Sequence, residues 1–480
     1  MKRKLGLSLV ALAVLAVPAW PQTGSDQSQN GSMGQSTDQS QSGSTDQSQS
    51  GSTDQSQQSS TGPQAAYTHP EQLPPLALLN EVTASTGLKL NLTAGVLTDY
   101  NSVSGLSTPN YWQTLGTFGG GFHITQIRPT LLWDLGYNGG VSLSDISSGA
   151  YSNYTSLNQN ANGHIIWQFS KRWQLAVKDN YVYTDDPFSP YLTVDNLPTF
   201  NNPNPLIYIP QAITEQNVGT VDLTYQIAQH DSVTFTGGQS FQRFYNTPLA
   251  AEDNYSYSGA ANYQHDFSAR FSAGGGYSFT ALNFGQGLSR SGIQAMTGFA
   301  SYQLTPNMVI SGWIGPEYTS SKAIVPTFCF PGYGCFGYHA EYQSEWNITE
   351  GATFALSGPR NALRIGFTHQ VTNGGGYLGA VRLYQATAGY RRTLTQHWNF
   401  FIGASYNNNL SILLTNANRY LYATQFRVAF SRDISESLKA TVYYALIHES
   451  QNYFTSEPYT LGVNGVGVTL RYYWGHSLGR

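Results

Sequence analysis

The sequence repeats one pattern along most of its length: two stretches of alternating apolar and polar residues, joined by a short polar turn. The pattern occurs at residues 165–177, 223–235, 261–273, 300–310, 354–365, 389–406 and 428–440. Alternation with a period of two puts successive side chains on opposite faces of an extended strand. Each repeat therefore predicts an antiparallel β-hairpin.

The turns of these hairpins are regularly spaced. Turns near residues 230, 268 and 306 lie about 38 residues apart, and so do those near residues 358, 395 and 434. Each period has room for two strands and one longer connection. The predicted sheet therefore has short turns at one end and long loops at the other.

The alternation also indicates which face is apolar. In Tyr420–Phe430 the even-numbered residues are mostly aromatic or aliphatic, whereas Gln425 and Arg427 lie on the other face. Aromatic residues gather at strand ends beside the turns, among them Trp167, Trp173, Phe267, Phe271 and Trp398. Aromatic belts of this kind are typical of a membrane interface.

Composition agrees with a membrane-spanning sheet. Only 10% of residues are charged and 14% are aromatic, with 49 Gly and 33 Tyr, whereas a soluble chain carries roughly 25% charged residues. The strands have about 10 to 14 residues, enough to cross a bilayer at a tilt. The hydrocarbon core of a bilayer offers no hydrogen-bond partner to an unpaired backbone group. Strands can therefore span it only as a closed barrel, in which every strand edge is paired. We predict an all-β chain that forms a transmembrane, antiparallel, up-and-down barrel with its apolar face outside.

The N-terminal region predicts export. Lys2, Arg3 and Lys4 precede an apolar run, Leu5–Val17, and small residues allow cleavage after Ala19. Residues 1–19 are interpreted as a signal peptide, and an anchor helix is the alternative. Residues 20–62 are a Ser/Gln/Gly/Asp tract that buries nothing, so we expect a disordered tether. We expect residues 63–85 to form a short periplasmic segment or plug, and residues 86–480 to form the barrel.

Residues 86–480 resemble the Gram-negative outer-membrane β-barrels of the porin type. The resemblance rests on the signal peptide, the short turns, the long loops and a last alternating strand with aromatic Trp474. It implies a multi-pass barrel in the outer membrane, with its short turns in the periplasm. It also implies contact with outer-membrane lipid and lipopolysaccharide, and insertion by the barrel assembly machinery. Self-association and attachment of the tether to peptidoglycan are left open.

The strand count gives about 18, with 16 as the alternative. Barrels of this size enclose water, whereas 8-stranded barrels are filled by side chains. The sequence therefore predicts an outer-membrane channel for passive diffusion of small hydrophilic solutes. The alternative is a non-conducting barrel with a structural, adhesion or envelope-tethering role.

Polar residues that alternate with the apolar ones are candidates for the pore lining. They share the polar phase of their strands: Lys178, Asn180, Asp222, Thr224, Gln226, Gln425, Arg427, Lys439 and Arg471. For any one of them, the alternative is a solvated wall position without an individual role.

One long, Pro-rich stretch, Thr184–Pro210, follows the predicted fifth strand. In porins the loop at that position, the third external one, commonly folds into the barrel, so the resemblance implies a constriction loop. Its candidate residues are Asp185, Asp186, Tyr191, Asp195 and Asn196. An ordinary external loop is the alternative.

The two cysteines, Cys329 and Cys335, lie in a predicted external loop. Export favours oxidation, and the five intervening residues, with one Pro and two Gly, can close the ring. We predict a structural disulfide. Together with His339 the two thiols fall short of a four-ligand zinc set, so no metal site is predicted.

Nothing in the sequence predicts an enzyme, a cofactor site or a nucleic-acid interface. His369, His448 and Glu449 are the candidates for catalysis, but no Ser/His/acid set can be assembled by spacing. The net charge is −4 and the basic residues are evenly spread, without the basic stripe of a nucleic-acid binder.

Deletion of residues 20–62 is expected to leave barrel assembly intact, because this tract buries no apolar surface. Membrane insertion and the difference in gel mobility between boiled and unboiled samples measure assembly. A truncation before Gly465, which removes the last predicted strand, is the control that should fail. A tether deletion that fails equally would contradict the interpretation of this tract as a spacer.

Overall fold

The computed structural model describes residues 85–104, 110–146, 154–185, 213–245, 253–285, 289–330, 334–374, 379–412, 420–452 and 459–477. The predicted signal peptide and tether, and all but the last residue of the predicted 63–85 segment, lie outside these ranges. No helix in the described ranges is long and apolar enough to cross a membrane.

The described residues form eighteen strands. These are β1 (Ser85–Ser104), β2 (Tyr111–Arg128), β3 (Leu131–Ile146), β4 (Tyr154–Trp167), β5 (Trp173–Thr184), β6 (Ile213–Ala228), β7 (Asp231–Tyr245), β8 (Asn254–Ser268), β9 (Phe271–Phe284), β10 (Ser289–Thr305), β11 (Met308–Phe330), β12 (Gly334–Ser357), β13 (Asn361–Thr372), β14 (Val381–Thr393), β15 (Trp398–Ser411), β16 (Tyr420–Asp433), β17 (Leu438–Gln451) and β18 (Tyr459–Ser477).

Each strand pairs antiparallel with the next one in the chain, and the last strand pairs with the first. Gly87 of β1 lies opposite Ser477 of β18, and the pairing continues to Ser104 opposite Thr460. The other edge of β1 pairs with β2. The sheet is therefore a closed up-and-down barrel, which confirms the predicted fold class and the count of eighteen strands; the alternative count of sixteen is wrong.

The outer face of the barrel is apolar. Leu92, Phe118 and Met296 expose more than half of their surface, although they lie in the middle of paired strands. At the short-turn end, Trp167, Phe169 and Trp173 form a continuous aromatic contact, with ring centroids 5.4 and 6.2 Å apart. A closed sheet with an apolar exterior and aromatic strand ends is the arrangement of outer-membrane barrels. The polarity is inverted relative to a soluble sandwich, as the sequence predicted.

The inner face is polar and its side chains bond across strands. Ser240 and Ser256 lie 2.6 Å apart, Ser291 and Ser321 2.8 Å, and Ser431 and Thr441 3.0 Å, measured between hydroxyl oxygens. Asn91 donates to Asn138 at 3.0 Å. Buried polar groups need such partners, and hydroxyl pairs between neighbouring strands supply them along the wall.

Two strands are much longer than the rest. β11 and β12 have 23 and 24 residues and pair from Met308 opposite Leu356 to Phe330 opposite Gly334. Cys329 and Cys335 lie directly opposite each other near the end of this hairpin. They therefore belong to paired strands, whereas the sequence analysis predicted an external loop. Their side chains lie outside the described part, and the disulfide stays a prediction.

The wall is least continuous between β12 and β13. Their pairing runs only from Ser357 opposite Ala362 to Glu350 opposite His369. Beyond Glu350, β12 continues with β11 as its partner, whereas β13 leaves the wall. Because this ladder is short, the end of β13 is free to turn from the wall into the interior of the barrel.

Substitution of Phe235 by Arg is expected to lower the free energy of unfolding by about 2 kcal/mol or more, because a charge on the lipid-facing surface loses hydration. Phe235 is 50% exposed on the outer face of β7. Thr236→Arg is the matched control, since the Thr236 hydroxyl donates to Asp222 on the inner face at 2.6 Å. Equilibrium denaturation in lipid vesicles, followed by Trp fluorescence, measures both. Equal losses for the two variants would contradict the assignment of the faces.

Candidate functional site

All nine residues that the sequence singled out as pore candidates lie on the lumen side of their strands. Lys178, Asn180, Asp222, Thr224, Gln226, Lys439 and Arg471 are half-buried, and Gln425 and Arg427 are buried. They fall into two groups, on β5–β6 and on β16–β18, rather than in one site. That they line a water-filled pore stays a prediction.

Two of the basic candidates are direct neighbours. Lys439 of β17 lies opposite Arg471 of β18, and on its other side opposite Asp433 of β16. Arg471 donates from Nε to the Thr93 hydroxyl at 3.2 Å. These side chains lie near the short-turn end, where two basic groups and one acid share the inner face.

Arg427 has a different environment. Its guanidinium carbon lies 4.7 Å from the centroid of the Tyr443 ring, and only 6% of the residue is exposed. Tyr443 in turn lies against Gly467, where a Cβ atom would fall 2.3 Å from the ring. The absence of a side chain at Gly467 lets the ring lie flat on the wall. Arg427 is thus packed into the wall by a cation–π contact rather than extended into the lumen.

An apolar cluster covers part of the inner face from the middle of the barrel to its long-loop end. Its members are buried: Leu97, Leu115, Ala429, Tyr443, Ile447, Leu461 and Val463. The acidic and amide side chains beside it, Asp99, Asn101 and Glu449, expose 1% or less. The long-loop half of the lumen is therefore filled in this region. Sequence alternation did not reveal the cluster, because these residues occupy the phase assigned to a polar lining.

The end of β13 and the start of β14 fold into the lumen. The Asn373 side-chain amide donates to the Asn254 carbonyl oxygen at 3.0 Å, and both residues are buried. Asn254 begins β8, five strands away from β13 around the wall. Only a segment that passes in front of the inner faces of β9 to β12 can make this contact. The described residues at this end of the hairpin, 371–374 and 379–381, are called the inward segment.

Polar contacts hold the inward segment against the extended β11–β12 hairpin. The backbone amide of Val371 donates to the Glu317 carboxylate at 3.2 Å. The Arg382 guanidinium, just beyond the segment, donates to Glu345 at 2.9 Å. Both glutamates lie on the lumen side of the hairpin, so β13 and β14 lean on its inner face after leaving the wall.

Apolar contacts complete the packing of the inward segment. Val371 and Ala380 form a buried cluster with Leu282, Phe284, Ile293 and Ile412. The chain bends at Gly374 and Gly379, whose φ angles of 56° and 67° lie in the left-handed region that favours glycine. The sequence carried a signal for this bend in Thr372–Ala380, which reads TNGGGYLGA. A Gly-rich connection alone, however, does not show whether a hairpin turns into the lumen.

Little of that longest loop falls in the described part of the chain. Asp186, Tyr191, Asp195 and Asn196 lie outside it, so their role as a constriction stays a prediction. Asp185 ends the β4–β5 ladder: its amide donates to the Leu157 carbonyl at 3.2 Å, and its carboxylate accepts from the Leu157 amide. Burial raises the pKa of the Asp185 carboxyl, and the amide hydrogen bond offsets part of that rise. Asp185 is therefore held at the barrel rim.

His369, one of the two histidines that are candidates for catalysis, packs against a neighbouring aromatic ring. His369 stacks on Tyr384 with ring centroids 4.2 Å apart, and its Nδ1 lies 3.8 Å from Glu350. These residues mark the point where β13 separates from β12. Among the described residues, no group of three His, Cys, Asp or Glu side chains is arranged to hold a metal ion.

The geometry defines a class: a membrane-spanning outer-membrane β-barrel of eighteen strands, narrowed inside by one of its own hairpins. No protein-family model matches the sequence, and no curated protein is similar to it at a significant level.

Solved structures with a similar fold include OccK7 (OpdD) of Pseudomonas aeruginosa, at 10% identity and a TM-score of 0.40 over 82% of this chain and 99% of that one. OprD of Pseudomonas aeruginosa is 10% identical, with a TM-score of 0.37 over 84% and 98% of the two chains. The siderophore receptor PiuA of Acinetobacter baumannii is 7% identical, with a TM-score of 0.37 over 79% and 82%. Similarities this low carry no information about what the chain transports or binds.

Cysteines introduced at Asn254 and Asn373 are expected to be joined by a short bifunctional thiosulfonate, because the native side chains are in contact at 3.0 Å. A background with both native cysteines replaced by Ser avoids side reactions. Gel mobility after boiling detects the covalent loop.

The control pairs Asn373→Cys with Asn262→Cys, eight residues further along the same face of β8 and therefore about 26 Å away. Cross-linking in the control alone, or in neither pair, would contradict the inward position of the segment.

Proposed function

We propose that this protein is a passive outer-membrane channel for small hydrophilic solutes, narrowed by the inward segment. One observation carries the proposal: a closed eighteen-stranded barrel has a polar inner face, and the chain places one of its hairpins inside it. Barrels of 16 to 18 strands enclose more space than their own side chains fill. A protein that served only as a scaffold would not need a polar interior partly occupied by its own hairpin.

The charges on the inner face differ between its two ends. Basic side chains lie towards the short turns: Lys89, Lys178, Arg364, Lys439 and Arg471. The acidic side chains Asp99, Glu317, Glu345 and Glu449 lie towards the long loops, whereas Asp134, Asp222 and Asp433 lie among the basic residues of the short-turn end. Low-dielectric walls increase the effect of each charge on a passing ion. A solute that crosses the barrel therefore meets charges of both signs, which favours polar solutes with low net charge over strongly charged ions.

A second function, a non-conducting barrel, has one observation in its favour. The inner-face residues at the long-loop end of β1, β2, β17 and β18 are almost completely buried. A lumen that stays filled at that end would pass no solute, and the protein would then be a structural or adhesion element of the envelope. The two functions differ in a single measurable property, the current through a planar bilayer.

Replacement of residues 373–380 by a two-residue Asn-Gly turn is expected to raise single-channel conductance, because it removes the segment that crosses in front of β9 to β12. The remaining ends of β13 and β14 still pair, so the barrel should stay closed. Deletion of residues 196–205 tests the other predicted constriction in the same assay. Unchanged conductance after the first replacement would show that the inward segment does not limit the pore, and the absence of current from folded protein would favour the structural role.

A further inference from the structure

Five ionisable side chains form a continuous row on the inner face of β1 to β5. Lys89 of β1 lies opposite His123 of β2, and Asp134 of β3 lies opposite His164 of β4. His164 also lies opposite Lys178 of β5. Their spacing in the sequence does not indicate a site, because only the register between strands brings these residues together.

The centre of the row is a carboxylate between two imidazoles. His123 Nε2 lies 3.5 Å from one Asp134 oxygen, and His164 Nδ1 lies 3.4 Å from the other. The Thr125 hydroxyl lies 3.3 Å from His123 Nδ1. The Asp134 side chain is 9% exposed, whereas the imidazoles are 28% and 26% exposed. The imidazoles can therefore exchange protons with the lumen, while the carboxylate is shielded from it.

Protonation of the two imidazoles would change the charge of this stretch of wall. Histidine is the side chain whose charge ordinarily changes between about pH 5 and pH 8. With neutral imidazoles, the two lysines and Asp134 leave the row with one net positive charge. With both imidazoles protonated, the net charge is three positive, on one continuous surface.

Few acidic groups on the neighbouring strands lie close enough to offset this gain of positive charge. On the β5 side, the next acid is Asp222 of β6, which lies opposite Ala176 and accepts a hydrogen bond from Thr236. On the β1 side, Lys89 lies opposite Gly475 of β18. His123 lies opposite Gly136 across β3, which adds no charge. Lys89, Lys178 and Asp134 are thus the charged groups nearest to the imidazoles.

We propose that His123 and His164, held by Asp134, make the charge selectivity of the channel depend on pH. This inference rests on the proposed channel function and adds its regulation by protons. On acidification, the row gains positive charge, attracts anions and repels cations in the lumen. Asp134 acts as the positioning residue for both imidazoles.

The test is the reversal potential across a planar bilayer in a potassium chloride gradient, at pH 8 and at pH 5. We expect the anion-to-cation permeability ratio of the native protein to rise by about twofold or more at pH 5. The double variant His123→Asn, His164→Asn should keep its pH 8 ratio and lose most of this rise. Asp134→Asn should be more anion-selective than the native protein already at pH 8, because it removes the only acid of the row.

The matched control is His265→Asn. His265 also pairs with an aspartate, Asp231, at 2.8 Å, but it lies on the outer face, so this variant should keep the native pH response. A current whose reversal potential is the same at both pH values, or a double variant that responds like the native protein, overturns this inference alone. The absence of any current from well-folded protein overturns the proposed function, and the inference with it.

Discussion

The backbone ladder that joins β1 to β18 is the constraint on which the whole structure depends. In hydrocarbon an unpaired amide or carbonyl costs several kcal/mol, so a sheet in a bilayer is stable only without edges. Pairing from Gly87 opposite Ser477 to Ser104 opposite Thr460 removes the two edges that eighteen strands would otherwise leave. Closure then separates the side chains into two environments, and the alternation along each strand decides which residue meets lipid and which meets the lumen.

Much of the fold could be predicted from the sequence because period-two alternation is a local property. The hairpin at residues 389–406, for example, shows its turn and its apolar face without reference to any other strand. The lumen was less predictable. His123, Asp134 and His164 are brought together by register between strands, and Leu97 and Tyr443 are apolar residues in an inward phase. Local alternation contains no information about either arrangement.

The interior also holds a feature that loop length does not predict. Loop length pointed to Thr184–Pro210, but among the described residues the hairpin that enters the lumen has short strands and a Gly-rich tip. Its position depends on Glu317 and Asn254, which are far from it in sequence and recognisable only once the barrel is closed. Length measures how far a loop can reach, whereas complementary partners on the opposite wall determine where it rests.

The early separation of β12 and β13 gives the barrel an uneven mechanical profile. Along most of the wall each strand is joined to two neighbours for nearly its full length, but here the join ends at Glu350 and His369. The residues of β13 that leave the wall are the same ones that occupy the lumen. The short β12–β13 ladder and the inward segment therefore result from a single displacement. A force that returned β13 to full pairing with β12 would withdraw the inward segment from the lumen and lengthen the β12–β13 ladder together, and the barrel could not do one without the other.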